Sequence, residues 1–203
     1  MIETTPSLIV FLIPLAYSPG PGNLFFAAAG ARFGLGATLP ALAGYHVATW
    51  VVTLAAGLGL AAAAGAAPGL FTALRWAGVA YVLWLALGFL LAAAGAGPEG
   101  QGGDARPAGF GSGALLLVLN PKAYVIIALM FSQFLPVGQE AGHGAAVLWI
   151  TTVFTLNNLV AFTVWSLAGD RLAAHFRDSG SARRLNTFFG VLLAGVAFWL
   201  AAI

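Results

Sequence analysis

The 203-residue chain has no cysteine. Disulfides, zinc thiolate sites and iron–sulfur clusters are therefore excluded, and thiol usage says nothing about the redox compartment. Charge is nearly as scarce. Lys, Arg, Asp and Glu make up only 7% of the chain, where a water-soluble domain carries roughly 25%. The formal net charge is +2, too small for a pI near 9.4 to indicate a nucleic-acid partner. The apolar stretches contain no paired carboxylates, no Ser/His/Asp set and no metal-ligand cluster. The usual signatures of an enzyme, a metal centre or a cofactor site are thus missing. What remains is apolar: 61% of the residues are hydrophobic and the mean hydropathy is +0.95. The composition predicts an all-α integral membrane protein that lies almost wholly in the lipid bilayer.

Apolar runs of about 20 residues or more mark about six spans. They cover about Pro6–Ala29, Ala37–Ala64, Leu70–Ala94, Gly109–Leu135, the stretch that follows the polar turn Pro136–Gly144 to about Ala168, and Leu185–Ala202. Glu3 stands where a signal peptide carries positive charge, so the first run reads as a retained span. Gly95–Ala108 is the one clear linker, rich in glycine, with Pro98 and Pro107. It divides a single membrane transporter domain, 1–203, into a first repeat (about 1–95), a linker (about 96–108) and a second repeat (about 109–203). Gly169–Arg184 is the longest charged stretch and reads as a loop.

Two of these spans are interrupted near their middles. Ser18-Pro19-Gly20-Pro21-Gly22-Asn23 breaks the first, and Leu119-Asn120-Pro121-Lys122 breaks the fourth. Proline lacks a donor N–H and glycine favours an unwound backbone. At that depth such backbone is tolerated only where protein or a watery cavity covers it. Each set of three spans opens with a broken span, and an odd number of crossings inverts the second set. The expectation is an inverted-topology repeat with the binding site at the breaks. Arg32, Arg106, Arg171, Arg177, Arg183 and Arg184 all fall in alternate loops on one side. That side is expected to be cytoplasmic, with both termini outside. A five-span arrangement with one re-entrant segment would instead separate the termini.

Lys122 is the one ionised group placed near the bilayer centre. It is read either as a ligand for substrate or as a structural partner of freed carbonyls. Helix restarts at Gly22–Phe25 and Lys122–Val125 expose unpaired N–H groups suited to a carboxylate. Carbonyls released before the prolines suit an ammonium. Pro19, Gly20, Pro21, Gly22, Asn23, Asn120, Pro121 and Lys122 are therefore the candidate substrate-binding residues, and an α-amino-acid zwitterion has the matching groups. His46, Thr49 and Thr53 share a face of the second span, with Tyr45 adjoining. Thr151, Thr155 and Asn158 share a face of the fifth. Tyr45, His46, Thr49, Thr155 and Asn158 are candidate polar lining or proton-coupling residues, with ordinary interhelical hydrogen bonding as the alternative. Gly30 with Gly34, and Gly109 with Gly113, have the small-xxx-small spacing of close helix contacts. Several tryptophans, Trp165 among them, read as interfacial anchors.

Pro19-Gly20-Pro21 followed by Asn23, the Gly44-centred second span, Gly78 to Gly88 with Tyr81, and Asn120-Pro121-Lys122 together resemble the LysE/RhtB superfamily of amino-acid exporters. The resemblance covers nearly the whole chain, and the pairing of the two motifs about a hundred residues apart is its specific part. Gly22 departs from the commonest form, in which the asparagine follows the second proline directly. The resemblance implies proton-driven efflux of amino acids or related small molecules from the bacterial cytoplasm, with no cofactor. A homo-oligomer is compatible with this and not required by it. A non-transporting membrane subunit, or a carrier of an ion or another solute, remains the alternative.

Overall fold

The computed structural model describes residues 4–60, 68–94, 106–135, 142–175 and 179–202. Among them there are only helices and their connections. α1 is Thr5–Tyr17 and α2 is Pro21–Phe33. α3 is Leu35–Ala55, running on into a π-helical turn, Ala56–Leu60, that contains Gly59 at φ 93°. α4 is Pro68–Ala93, α5 Phe110–Val118, α6 Pro121–Phe134, α7 His143–His175 and α8 Ser179–Ala202. Residues 95–105 of the expected linker and 136–141 of the expected polar turn lie outside the described residues.

Both expected breaks are present. α1 and α2 meet at 65°, and α5 and α6 at 63°. Pro21 and Pro121 each stand at the first positions of the restarted helix. A missing N–H costs nothing there, and the fixed φ suits the first turn. α3 and α7 are long and apolar enough to cross a membrane, and each bent pair qualifies if counted as one span. α4 and α8 carry the shorter apolar stretches Val79–Leu91 and Asn186–Phe198. The surface they present is apolar, with Val10, Val51, Trp84, Val160, Val191 and Phe198 all exposed. Such a surface is suited to lipid.

One expectation is corrected. The charged stretch Gly169–Arg184 is not a loop at either end, because α7 continues unbroken to His175 and the last helix already begins at Ser179. Tertiary contacts hold the start of the stretch in place. Gly169 lies against the Ala27 backbone, and Asp170 Oδ2 accepts from the Leu35 N–H at 3.3 Å.

Helices in lipid gain little from burial alone, so close approach of backbones matters more. Two seams are built this way. Between α2 and α7, a Cβ on Gly30 would run into the Ser166 carbonyl, and one on Gly169 into that of Ala27. Between α3 and α5, a Cβ on Gly44 would meet the Phe110 carbonyl, and one on Gly113 that of Ala41. Of the expected glycine pairs, Gly30 and Gly113 make these contacts. Gly34 instead turns the chain between α2 and α3 at φ 82°, and Gly109 has open space around it.

Both seams sit at one end of the bundle, where α2 meets α3 and where α5 begins. Arg32, Arg106 and Arg171 lie at this end. The opposite end is closed by side chains. Leu8 and Leu12 of α1 pack with Ile126, Ile127 and Met130 of α6 and with Ile150 and Phe154 of α7.

Candidate binding site

A helix that stops inside a bundle leaves its last four carbonyls without partners. In hydrocarbon each would cost several kcal/mol. At the end of α1 all four are met, each by a different side chain. Ser18 Oγ donates to Leu15 O at 3.0 Å and Asn23 Nδ2 to Ala16 O at 2.9 Å. Trp165 Nε1 donates to Tyr17 O at 3.2 Å, and Lys122 Nζ to Ser18 O at 2.6 Å. The first break is therefore closed by its own residue and by α2, α6 and α7. Lys122 reaches across from the second break to the first.

Glycine makes room for this crossing. A Cβ on Gly20 would lie 2.8 Å from Lys122 Cδ and 3.1 Å from Nζ. Gly22 has a separate reason. Its Cβ would lie 2.8 Å from Phe162 Cε1 and 3.3 Å from the Tyr45 hydroxyl. Pro19 adds no donor to the unwound stretch.

The second break is organised by Asn120. Its Oδ1 accepts from the Lys122 N–H at 3.2 Å, an N-cap on α6. That bond orients the amide so that Nδ2 donates to the Tyr45 hydroxyl at 2.9 Å. Tyr124 of α6 donates to Val118 O at 2.8 Å, covering a carbonyl of α5. Tyr45 is fully enclosed by aromatic rings, with Phe26 at 5.8 Å, Phe162 at 4.6 Å and His46 at 5.2 Å between centroids.

The two restarts differ, which refines the expectation that both are open to a carboxylate. The start of α6 is already capped by Asn120. The start of α2 has no side-chain cap, and its first backbone bond is Leu24 N–H to Gly20 O at 3.0 Å. The uncapped start stands beside the Lys122 ammonium.

Asn23, Tyr45, Asn120, Lys122 and Asn158 converge on one cavity, walled by Ala16, Leu117, Phe154 and Phe162 among others. Its free volume is about 10 Å³, room for about one water. The other expected lining residues stand apart from it. Thr49 turns its hydroxyl back to Tyr45 O at 2.8 Å. His46 and Thr155 line a second, larger groove between α3 and α7, with Leu42, Trp50 and Leu159.

Three partners in the site were not legible as such. Trp165 was read as an interfacial anchor, yet its indole N–H caps Tyr17; a tryptophan far along a span, needing a partner for that N–H, was the available signal. Ser18 lay in the motif without an assigned role. Tyr124 gave no signal beyond its place one turn after Asn120.

The family described as LysE type translocator matches residues 13–202. A homoserine/homoserine lactone efflux protein of Salmonella typhimurium is 27% identical, the match covering 93% of this chain and 91% of that one. A cysteine/O-acetylserine efflux protein of Salmonella choleraesuis is 30% identical, over 93% and 95%. A leucine efflux protein of an Enterobacter species is 26% identical, over 91% and 89%. No solved structure matches. With two matched helix breaks and a family match spanning nearly its whole length, the chain belongs to the LysE type translocator family.

Proposed function

We propose that this protein exports amino acids, or closely related small zwitterions, across the bacterial cytoplasmic membrane. Export is driven by protons, through alternating access of two inverted three-span repeats. The observation that carries this reading is the bond from Lys122 Nζ to Ser18 O, which ties one helix break to the other beside the cavity. An α-amino acid has the groups to replace that tie. Its carboxylate binds Lys122 and the uncapped start of α2, where the helix dipole is positive. Its ammonium takes over the Ser18 carbonyl that Lys122 releases. Charge-assisted hydrogen bonds of this kind are worth about 1.5–3 kcal/mol each, so the exchange is close to balanced until both ends of the zwitterion engage.

A cavity of about 10 Å³ does not admit an amino acid, so the bent pairs must move for substrate to enter. Alternation between two such openings is what matched breaks supply. The relatives named for efflux of homoserine and homoserine lactone, of leucine, and of cysteine and O-acetylserine support amino acids and their close derivatives as the substrate class, with the ammonium as the group common to all of them. The purified protein in liposomes, screened with labelled amino acids, is expected to exchange at least one of them. The N-acetyl derivative of that substrate, which lacks the ammonium, is expected not to exchange. Exchange of the N-acetyl form at the same rate would overturn the zwitterion reading, and a folded protein that moves no member of the panel would overturn export.

A further inference from the structure

The interface of α3 and α7 holds polar atoms that the cavity does not use. Most helical threonines here satisfy their hydroxyls on a carbonyl one turn back: Thr38 on Leu35, Thr49 on Tyr45, Thr152 on Leu148, Thr163 on Leu159 and Thr187 on Arg183. Thr53, Thr151 and Thr155 do not. Their Oγ atoms are buried and have no partner, and neither has His46 Nε2. Asn157 Nδ2 and Ser166 Oγ are the other such atoms among the described residues. All four residues are nine-tenths buried or more.

These four face one seam. Trp50 Nε1 donates to Thr152 Oγ1 at 3.4 Å, and His46 lines the same groove as Thr155. α3 and α7 therefore run antiparallel, and the same register brings Thr53 about level with Leu148, one turn from Thr151. Thr53 lies two turns from His46 on one helix face, and Thr151 one turn from Thr155. Next along α7 comes Asn158, which lines the cavity with Tyr45. The seam thus runs from the cavity toward the end where His143 Nε2 donates to Gly57 O at 3.2 Å, opposite the arginine-bearing end.

The imidazole has a defined form. Its Nδ1 lies 2.7 Å from Leu42 O, and a carbonyl can only accept. Nδ1 therefore carries the hydrogen, and Nε2, without a hydrogen-bond partner, presents its lone pair toward α7, where the Asn158 backbone lies beside the ring. Buried donors and acceptors without partners call for an explanation in water or a passing ion.

We infer that the α3–α7 seam is the coupling path, in which the Thr53, Thr151 and Thr155 hydroxyls relay a proton to Nε2 of His46. This inference rests on the export reading above. A hydroxyl both accepts and donates, so a row of them can pass a proton without a net change in itself. The proton arrives from the end opposite the arginines, converts the neutral imidazole to imidazolium, and leaves when the bundle opens at the arginine-bearing end. Tyr45 of α3 is the titratable neighbour, and Lys122 of α6 is the cation at the adjoining cavity. Phe162 of α7 packs edge-on against the ring at 5.5 Å. Asp170 is the only carboxylate among the described residues and stands at the arginine-bearing end, against Leu35. A charged imidazole therefore adds a second positive charge next to the cavity that holds Lys122, with no carboxylate near it among the described residues. Proton and substrate ammonium then disfavour each other, which is what antiport requires.

The test uses purified protein in liposomes with two readouts. One is exchange of labelled for unlabelled substrate without any gradient. The other is accumulation driven by an imposed pH gradient. The wild type is expected to show both. His46→Gln is expected to keep exchange and lose gradient-driven accumulation. The double variant Thr151→Val, Thr155→Val is expected to do the same, and it decides the matter should His46→Gln not fold. Wild-type exchange without a response to the pH gradient, or a response to sodium in its place, overturns the proton path. So does either folded variant that still accumulates substrate on the pH gradient. Absence of exchange in the wild type removes the export reading itself, and the proton path with it.

Discussion

Lys122 holds a charge where insertion scales place a cost of about 2.5–3.5 kcal/mol. It was legible in the sequence because no other cation falls near the middle of a span; Arg75 stands near the start of the third. Its partner was not, since Ser18 O is a backbone atom 104 residues away. The structural reading of this lysine is seen in that bond, and the proposed binding role is compatible with it. Its ammonium completes the carbonyl set at the end of α1, and the proposed substrate displaces it. Lys122→Met keeps the stem and removes the charge. It leaves Ser18 O short of a donor but also removes a costly buried cation, so folding should survive. Substrate affinity is expected to fall roughly ten-fold to more than a hundred-fold, the worth of one charge-assisted bond. Ligand binding and thermal melting on the same purified variant separate the roles. Unchanged affinity with a lowered melting temperature would assign Lys122 to structure alone.

At the scale of the helix, the breaks were legible because their causes are local. Proline and glycine set the backbone at Pro19–Gly22 and at Asn120–Pro121 whatever surrounds them. The extent of α7 was not legible, because Gly169 and Asp170 are held helical by Ala27 and Leu35 of other helices. Nor was the difference between the two ends of the bundle. Backbone contacts through Gly30, Gly44, Gly113 and Gly169 close one end, and they have no room to yield. Leucine, isoleucine and methionine side chains close the other, and they can rotate. Gly113→Ala should therefore hold α5 away from α3 and favour opening at the arginine-bearing end. Met130→Ala should loosen the opposite end. A single cysteine at Ala123, in the cavity wall, reports on both through its rate of labelling from each side of a vesicle. Gly113→Ala is expected to speed labelling from the arginine-bearing side only, and Met130→Ala from the other side only. Equal changes from both sides would mean general loosening instead of two distinct gates.

Across the whole molecule, the chain's ends and loops follow from how the helices alternate. Thr5 sits near Trp149 at the start of α7, with Trp149 Nε1 donating to its hydroxyl at 3.0 Å. α1 therefore begins at the end opposite Arg32, and α8, following α7, begins at the arginine-bearing end and runs away from it. Lysine and arginine are retained on the cytoplasmic side of bacterial membranes. The arginine-bearing end is accordingly expected inside, with residues 4–7 outside and α8 ending outside. The sequence carried this through the placement of its arginines in alternate loops, and the order of the helices agrees in bringing Arg32, Arg106 and Arg171 to one end. Because the chain has no cysteine, single cysteines can be introduced without removing any. Ser7→Cys and Gly144→Cys are expected to react with an impermeant thiol reagent in intact cells. Pro107→Cys and Arg183→Cys, both at exposed positions, are expected to react only after the cells are opened. Labelling of Arg183→Cys in intact cells would invert the orientation. It would also turn the proposed proton path round, so that the end where His143 meets Gly57 faced the cytoplasm and protons entered through the arginine-bearing end instead.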